Sequence, residues 1–140
     1  MISYVVDASV AVKWYIPEVD TNEAEKLLDV EYILHAPELI LPEFGNIIWK
    51  KVRRGEITTS QGRQIIEAFL QTPIQLHPGT NLLPSAFEIA DRTAQTVYDC
   101  LYLALAVALS CEMVTADERF YQAISQSPLS KNILSIAAIR

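Results

Sequence analysis

The spacing of apolar side chains predicts that strands and helices alternate along the chain. Short β-branched and apolar runs typical of buried strands occur at residues 3–6, 32–34, 74–76, 113–115 and 133–136. Between them lie segments with apolar residues every three or four positions, which predict helices near residues 9–15, 20–28, 42–54, 59–70, 84–90, 97–110 and 120–124. This alternation predicts an α/β sandwich with a mostly parallel sheet.

Capping residues predict where several of these helices begin and end. Ser9 suits the N-cap of the first helix, and Pro17 would stop that helix. Asp20 with Glu23 resembles a capping box at the start of the second helix. Gly55 suits the position just after the third helix, where glycine often ends a helix.

Composition indicates one globular domain over residues 1–140. Hydrophobic residues make up 51% of the 140 positions, enough for a sizeable core, and no Gly/Ser-rich linker divides the chain. The formal net charge is −6. This charge argues against a protein that coats DNA through lysine and arginine, but it allows an enzyme that meets phosphates through bound divalent cations.

The cysteines and the apolar segments indicate a cytoplasmic protein. Cys100 and Cys111 are eleven residues apart. On one helix that separation is roughly 16 Å, too far for a disulfide, so free thiols in a reducing compartment are expected. The first residues lack a basic segment followed by a long apolar run, so no signal peptide is expected. The apolar run 97–111 is too short to cross a bilayer easily.

Four carboxylates stand where a parallel sheet would gather them. Asp7 and Asp117 follow two predicted strands and should emerge at the same sheet edge. Asp99 opens the almost entirely apolar helix that leads into the 113–115 strand, so it should approach them. Glu43 lies in the first turn of another helix, and its place depends on the strand order.

Carboxylates gathered at one place repel each other and stay ionised only with compensating cations. Oxygen ligands select Mg²⁺ or Mn²⁺, whereas the chain has only two histidines, His35 and His77, and no cysteine pair at zinc spacing. Two such cations roughly 4 Å apart could hold a phosphodiester and activate a water. Asp7, Glu43 and Asp117 also have a plainer interpretation as residues that cap a turn or a helix start. This interpretation is weakest for Asp99, because a carboxylate at the start of an apolar helix is costly to bury without a partner.

A basic group lies at the end of the third predicted helix and contains Lys50, Lys51, Arg53 and Arg54. These side chains could guide phosphates towards a site. The favoured interpretation is that they complement the dipole at a solvated helix C-terminus.

Four segments of the sequence resemble the PIN domain family, in particular the toxin ribonucleases of VapC-type toxin–antitoxin pairs. In chain order they are VVDASVAVKW with Asp7, LPEFGNIIWK with Glu43, TVYDCLYLALA with Asp99, and TADERF with Thr115 and Asp117. The order and approximate spacing agree over nearly the whole chain.

The resemblance implies a PIN-like three-layer α/β/α sandwich and RNA cleavage that depends on Mg²⁺ or Mn²⁺. It also implies a homodimer neutralised by a small antitoxin. In family terms, Asp7, Glu43, Asp99 and Asp117 would be catalytic metal ligands. Ser9 and Thr115 would support the site through hydrogen bonds.

Two other functions stay open at this point. A phosphatase of the haloacid dehalogenase type would use Asp7 as a nucleophile, but it usually carries a second Asp two residues later, where this chain has Ser9. Alternatively, the carboxylates only cap helices in a non-catalytic acidic interaction module.

Overall fold

A parallel sheet forms the centre of the computed structural model, which describes residues 1–139. Its strands are β1 (Ile2–Val6), β2 (Tyr32–Pro37), β3 (Ile74–His77), β4 (Glu112–Thr115) and β5 (Ile133–Ser135). Their order is β3-β2-β1-β4-β5, and every neighbouring pair is parallel. The predicted parallel sheet is therefore confirmed, with β5 at an edge.

Seven α-helices flank this sheet within the described residues. They are α1 (Ala8–Ala11), α2 (Thr21–Lys26), α3 (Ile40–Arg53), α4 (Thr59–Gln71), α5 (Leu83–Thr93), α6 (Val97–Ala108) and α7 (Glu118–Ser125). Because crossovers between parallel strands are right-handed, this strand order places the helices between β1 and β3 on one face and those leading to β4 and β5 on the other. The chain is thus an α/β/α sandwich.

The core is continuous through the sheet and the helices against it. Val5 and Val6 of β1 are fully buried, and α6 packs on β1, β2 and β4. On the α3–α4 side, Phe44 stacks on Phe69 with ring centroids 3.9 Å apart. The apolar α6 therefore lies centrally, as its sequence predicts.

The predicted N-cap of α1 is wrong by two residues. Asp7 caps the helix, because its carboxylate accepts a hydrogen bond from the Val10 amide at 3.1 Å. Ser9 lies inside the first turn and donates its hydroxyl to Asp7 instead. The helix starts directly after β1, so the first side chain beyond the strand reaches the free amides.

The capping box predicted at α2 is also wrong. Asp20 adopts a left-handed backbone with φ of 65° and makes no side-chain cap, so its carboxylate does not meet the helix amides. The Thr21 hydroxyl instead accepts a hydrogen bond from the Glu18 amide at 2.8 Å. By contrast, Gly55 has φ of 74° directly after the C-cap of α3, as predicted.

A complete capping box opens α4 and provides a stability test. The Thr58 hydroxyl accepts from the Gln61 amide at 3.1 Å, and the Gln61 side chain accepts from the Thr58 amide at 2.8 Å. Thr58→Ala should lower the free energy of unfolding by about 1 kcal/mol, measured by urea denaturation. The exposed Ser60→Ala in the same turn is the control. Equal effects of the two substitutions would contradict the capping role.

Both cysteines are free, as predicted, with Cys100 buried and Cys111 partly buried. Over residues 1–139, no helix combines the length and the apolar character needed to cross a membrane.

Candidate active site

All four predicted carboxylates line one cavity at the carboxyl edge of the sheet. The cavity has a volume of about 240 Å³ and is lined by Asp7, Ala8, Ser9, Glu43, Asn46, Ile47, Asp99, Tyr102 and Asp117. A larger depression of about 790 Å³ lies beside the N-terminal strand, but Glu112 is its single acidic lining residue. Chemistry, and not size, therefore identifies the acidic cavity as the candidate site.

The strand order explains why the acids meet. From β1 the chain moves to β2 on one side, whereas β4 pairs with β1 on the other side. Asp7 directly follows β1, and Asp117 lies two residues beyond β4. Ligand sites of open parallel sheets form at such a reversal of strand order, outside the carboxyl ends.

Asp7 is the most enclosed acid of the cavity, with 7% of its surface exposed. Its Oδ1 accepts hydrogen bonds from the Ser9 hydroxyl at 2.6 Å and the Val10 amide at 3.1 Å. Its Oδ2 accepts from the Thr115 hydroxyl at 2.6 Å. Burial raises the pKa of Asp7 from 3.8 to about 6, with a further rise from the charge of Asp99, although these three donors oppose the increase.

Ser9 and Thr115 connect Asp7 to the end of β4. The Ser9 hydroxyl accepts from the Ala116 amide at 3.2 Å, and the Thr115 hydroxyl accepts from the Asp117 amide at 3.0 Å. Each hydroxyl therefore donates to Asp7 while it receives a backbone amide of the β4–α7 connection. This geometry suits the supporting role that the resemblance implies for both residues.

Glu43 enters the cavity from the first turn of α3. The Tyr102 hydroxyl of α6 donates to Glu43 Oε1 at 2.5 Å. Burial raises the pKa of Glu43, the Tyr102 hydrogen bond opposes this, and the charge of Asp99 adds to the rise. The pKa of Tyr102 is also raised, first by burial and then by the carboxylates of Glu43, Asp7 and Asp99.

Asp99 is the electrostatic centre of the cavity. It lies in the first turn of α6, where the Thr96 side chain caps its amide and contacts its carboxylate, both at 3.2 Å. Burial raises the pKa of Asp99, Thr96 opposes the increase, and the charge of Asp117 adds to it. Since Asp99 also raises the pKa values of Asp7 and Glu43, it interacts with each of the other three acids.

Asp117 combines a place in the cavity with an ordinary structural role. Its Oδ1 accepts from the Phe120 amide at 3.1 Å and so caps α7. The plainer interpretation as a helix cap is therefore correct for Asp117, and also for Asp7. Capping does not exclude a second function, because both carboxylates line the cavity as well.

Tyr102 and Asn46 are polar cavity residues that the sequence reasoning missed. Tyr102 follows Asp99 by three residues on α6, and Asn46 follows Glu43 by three on α3. Residues three apart share a helix face. The spacing of three residues after each acid could therefore have predicted that Tyr102 and Asn46 face the same cavity.

The donor set fits a hard divalent cation that keeps part of its water shell. No group of three or more His, Cys, Asp or Glu residues within 1–139 is arranged as a ready metal cage. Mg²⁺ needs no such cage, since proteins commonly bind it through one or two carboxylates plus water and substrate phosphates. Asp7 Oδ1 already accepts two hydrogen bonds, which leaves Oδ2 as its better ligand atom.

The basic group lies away from the cavity. Glu43 is in the first turn of α3, whereas the basic residues lie in its last turn and at its C-cap, roughly 10–16 Å further along the axis. Lys51 forms ion pairs with Glu18 at 3.2 Å and Glu56 at 3.6 Å. The favoured prediction, a basic helix C-terminus, fits this arrangement.

Comparison with known proteins identifies related chains and folds. The family model described as PIN domain matches residues 4–124. Ribonuclease VapC3 of Pyrobaculum aerophilum is 31% identical over 117 residues, which cover 82% of this chain and 89% of that protein. Ribonuclease VapC9 of Mycobacterium tuberculosis is 31% identical over 115 residues, or 82% and 86% of the two chains.

Similar solved structures share the fold. A crystal structure of a Pyrobaculum aerophilum protein matches with a TM-score of 0.72 at 20% identity. The match covers 97% of this chain and 85% of that protein's chain. A toxin–antitoxin complex from Klebsiella pneumoniae has a TM-score of 0.63 at 9% identity, with 95% and 97% covered. With the family match over most of its length and VapC ribonucleases among its relatives, this chain belongs to the PIN domain family.

Proposed function

We propose that this protein is a metal-dependent endoribonuclease that hydrolyses RNA phosphodiesters and acts as the toxin of a toxin–antitoxin pair. The observation that carries the proposal is the meeting of Asp7, Glu43, Asp99 and Asp117 in one cavity, with Asp99 coupled to the other three. Membership of the PIN domain family and similarity to VapC ribonucleases support it.

The four carboxylates are the proposed ligands of Mg²⁺ or Mn²⁺. A bound cation would neutralise the phosphodiester and make a nearby water more acidic. The chain's own contribution is to hold the acids in place and to keep Asp7 fixed by three donors. Without cations the cavity would repel RNA phosphates, because its polar lining is dominated by carboxylates.

The proposed partners are RNA, a small antitoxin and a second copy of the chain. Similarity to VapC ribonucleases and to a toxin–antitoxin complex supports the first two. For the homodimer, Leu83 and Phe87 lie one turn apart on α5 with 53% and 59% of their surfaces exposed, and such apolar patches mark interfaces. Action on cellular RNA and the free thiols of Cys100 and Cys111 suit the cytoplasm.

The test is cleavage of end-labelled single-stranded and hairpin RNA by the purified protein, resolved on denaturing gels. We expect internal cleavage with Mn²⁺ or Mg²⁺, none in EDTA, and recovery when metal is returned. Separate titrations with the two metals identify the better cofactor. Cleavage that persists unchanged in EDTA would refute the metal-dependent mechanism, and intact RNA under every condition would refute the nuclease.

The interaction module is the alternative with some structural support, because Asp7 and Asp117 do cap helices. Capping does not explain why four acids line one cavity, where burial disfavours the charged forms of Asp7, Glu43 and Asp99. Calorimetry with Mn²⁺ separates the two functions, since the module predicts no binding at micromolar to millimolar metal. The phosphatase gains no support, because the position two residues after its would-be nucleophile, Asp7, holds Ser9, whose hydroxyl donates to Asp7.

A further inference from the structure

We propose that Tyr102 is a positioning residue that holds the Glu43 carboxylate ready for the cation. This inference rests on the proposed metal-dependent function and concerns the same cavity. It assigns a role to a side chain that has no carboxylate and that touches the site through α6. The contact joins two helices, α3 and α6, which are far apart in sequence.

The geometry of Tyr102 is fixed by its surroundings. Only 1% of its surface is exposed, so the ring is held by the core while the hydroxyl reaches the cavity. The hydroxyl donates to Glu43 Oε1 at 2.5 Å, a short distance typical of a hydroxyl bonded to a charged oxygen. One carboxylate oxygen is thus anchored, which leaves Oε2 available for a ligand.

Glu43 needs such an anchor more than the other acids do. Asp7, Asp99 and Asp117 are short side chains, and each accepts a hydrogen bond from a helix cap or from an amide of its own first turn. Glu43 has one more rotatable bond, and within residues 1–139 its side chain has Tyr102 as its hydrogen-bond partner. Ordering a free glutamate on metal binding would cost side-chain entropy, which the Tyr102 contact removes in advance.

The same hydrogen bond indicates that Tyr102 acts through Glu43 and not directly on the RNA. A phenol has one proton to donate, and here it is directed at Glu43. While that bond persists, Tyr102 cannot donate to a phosphate oxygen or to a leaving group. Its removal should therefore weaken metal binding and raise the metal concentration needed for activity, with a smaller effect on the rate at saturating metal.

The test is Tyr102→Phe, which keeps the buried ring and removes the hydroxyl. We expect its Mn²⁺ dissociation constant, measured by calorimetry, to rise about 10- to 100-fold, the usual effect of losing a hydrogen bond to a metal ligand. Tyr15→Phe is the matched control. The Tyr15 hydroxyl also forms a side-chain hydrogen bond, with the Thr72 hydroxyl, but Tyr15 lies outside the cavity. The control should bind Mn²⁺ like the wild type, and far-UV circular dichroism checks that both variants fold.

A double-mutant cycle with Glu43→Gln shows whether Tyr102 acts through Glu43. In the Glu43→Gln background, Tyr102→Phe should change the Mn²⁺ dissociation constant less than about twofold. Wild-type affinity in Tyr102→Phe, or a full effect in the Glu43→Gln background, would overturn the positioning role alone. Absence of Mn²⁺ binding by the wild type would instead overturn the metal-dependent function, and this role with it.

Discussion

Asp99→Asn is expected to reduce RNA cleavage by at least about 1,000-fold while the protein stays folded. Asp99 is coupled to each of the other three cavity acids, so losing its charge weakens the whole proposed cation site. Cations supply several kcal/mol of transition-state stabilisation, and each 1.36 kcal/mol is a tenfold change in rate. The cap at Thr96 can persist, because it also binds the backbone amide of residue 99.

The measurement compares initial cleavage rates at matched Mn²⁺ concentration, with circular dichroism as the check of folding. Asp91→Asn is the control, since Asp91 is an exposed aspartate on α5 outside the cavity. It should cleave RNA at the wild-type rate. Wild-type rates in Asp99→Asn would contradict the catalytic assignment.

Asp7→Asn is expected to abolish cleavage and, in EDTA, to make the protein more stable. Folding moves the Asp7 carboxylate into a buried place and raises its pKa from 3.8 to about 6. At neutral pH the folded protein therefore bears the cost of an ionised buried group, up to about 3 kcal/mol at 1.36 kcal/mol per pKa unit. Asparagine removes that charge and can still accept from Ser9 and Val10.

The pH dependence follows from the direction of this shift. Well below pH 3.8 Asp7 is protonated in both states and costs nothing. As the pH rises from 3.8 to about 6 the unfolded state loses its proton first, so wild-type stability falls, and above that range the cost is constant. The stability difference between Asp7→Asn and wild type, measured by urea denaturation in EDTA, should therefore grow over this range and then level off.

Metal should reduce this difference in stability. Mn²⁺ that binds the folded state stabilises the wild type by mass action, whereas Asp7→Asn has lost a proposed ligand. We expect the wild type to gain the larger increase in unfolding free energy when Mn²⁺ replaces EDTA. If Asp7→Asn is less stable than wild type in EDTA at pH 7.5, burial of the Asp7 charge is not the dominant cost.

Local errors of sequence-based prediction came from backbone geometry that residue types do not encode. Ser9 and Asp7 are both good caps, and the immediate start of α1 after β1 decided between them. Asp20 failed as a cap because its backbone is left-handed. By contrast, Gly55 was predictable, because few other residues adopt its positive φ without strain.

The sequence by itself determined the strands, the helices and the shared edge of Asp7 and Asp117. These follow from periodicity and from the rule that the carboxyl ends of parallel strands lie together. Only the tertiary structure decided where Glu43 lies and that Tyr102 meets it, because that contact spans 59 residues between helices on different connections of the sheet. The spacing of apolar residues predicts which face of a helix is buried, whereas the strand order decides which helix faces meet.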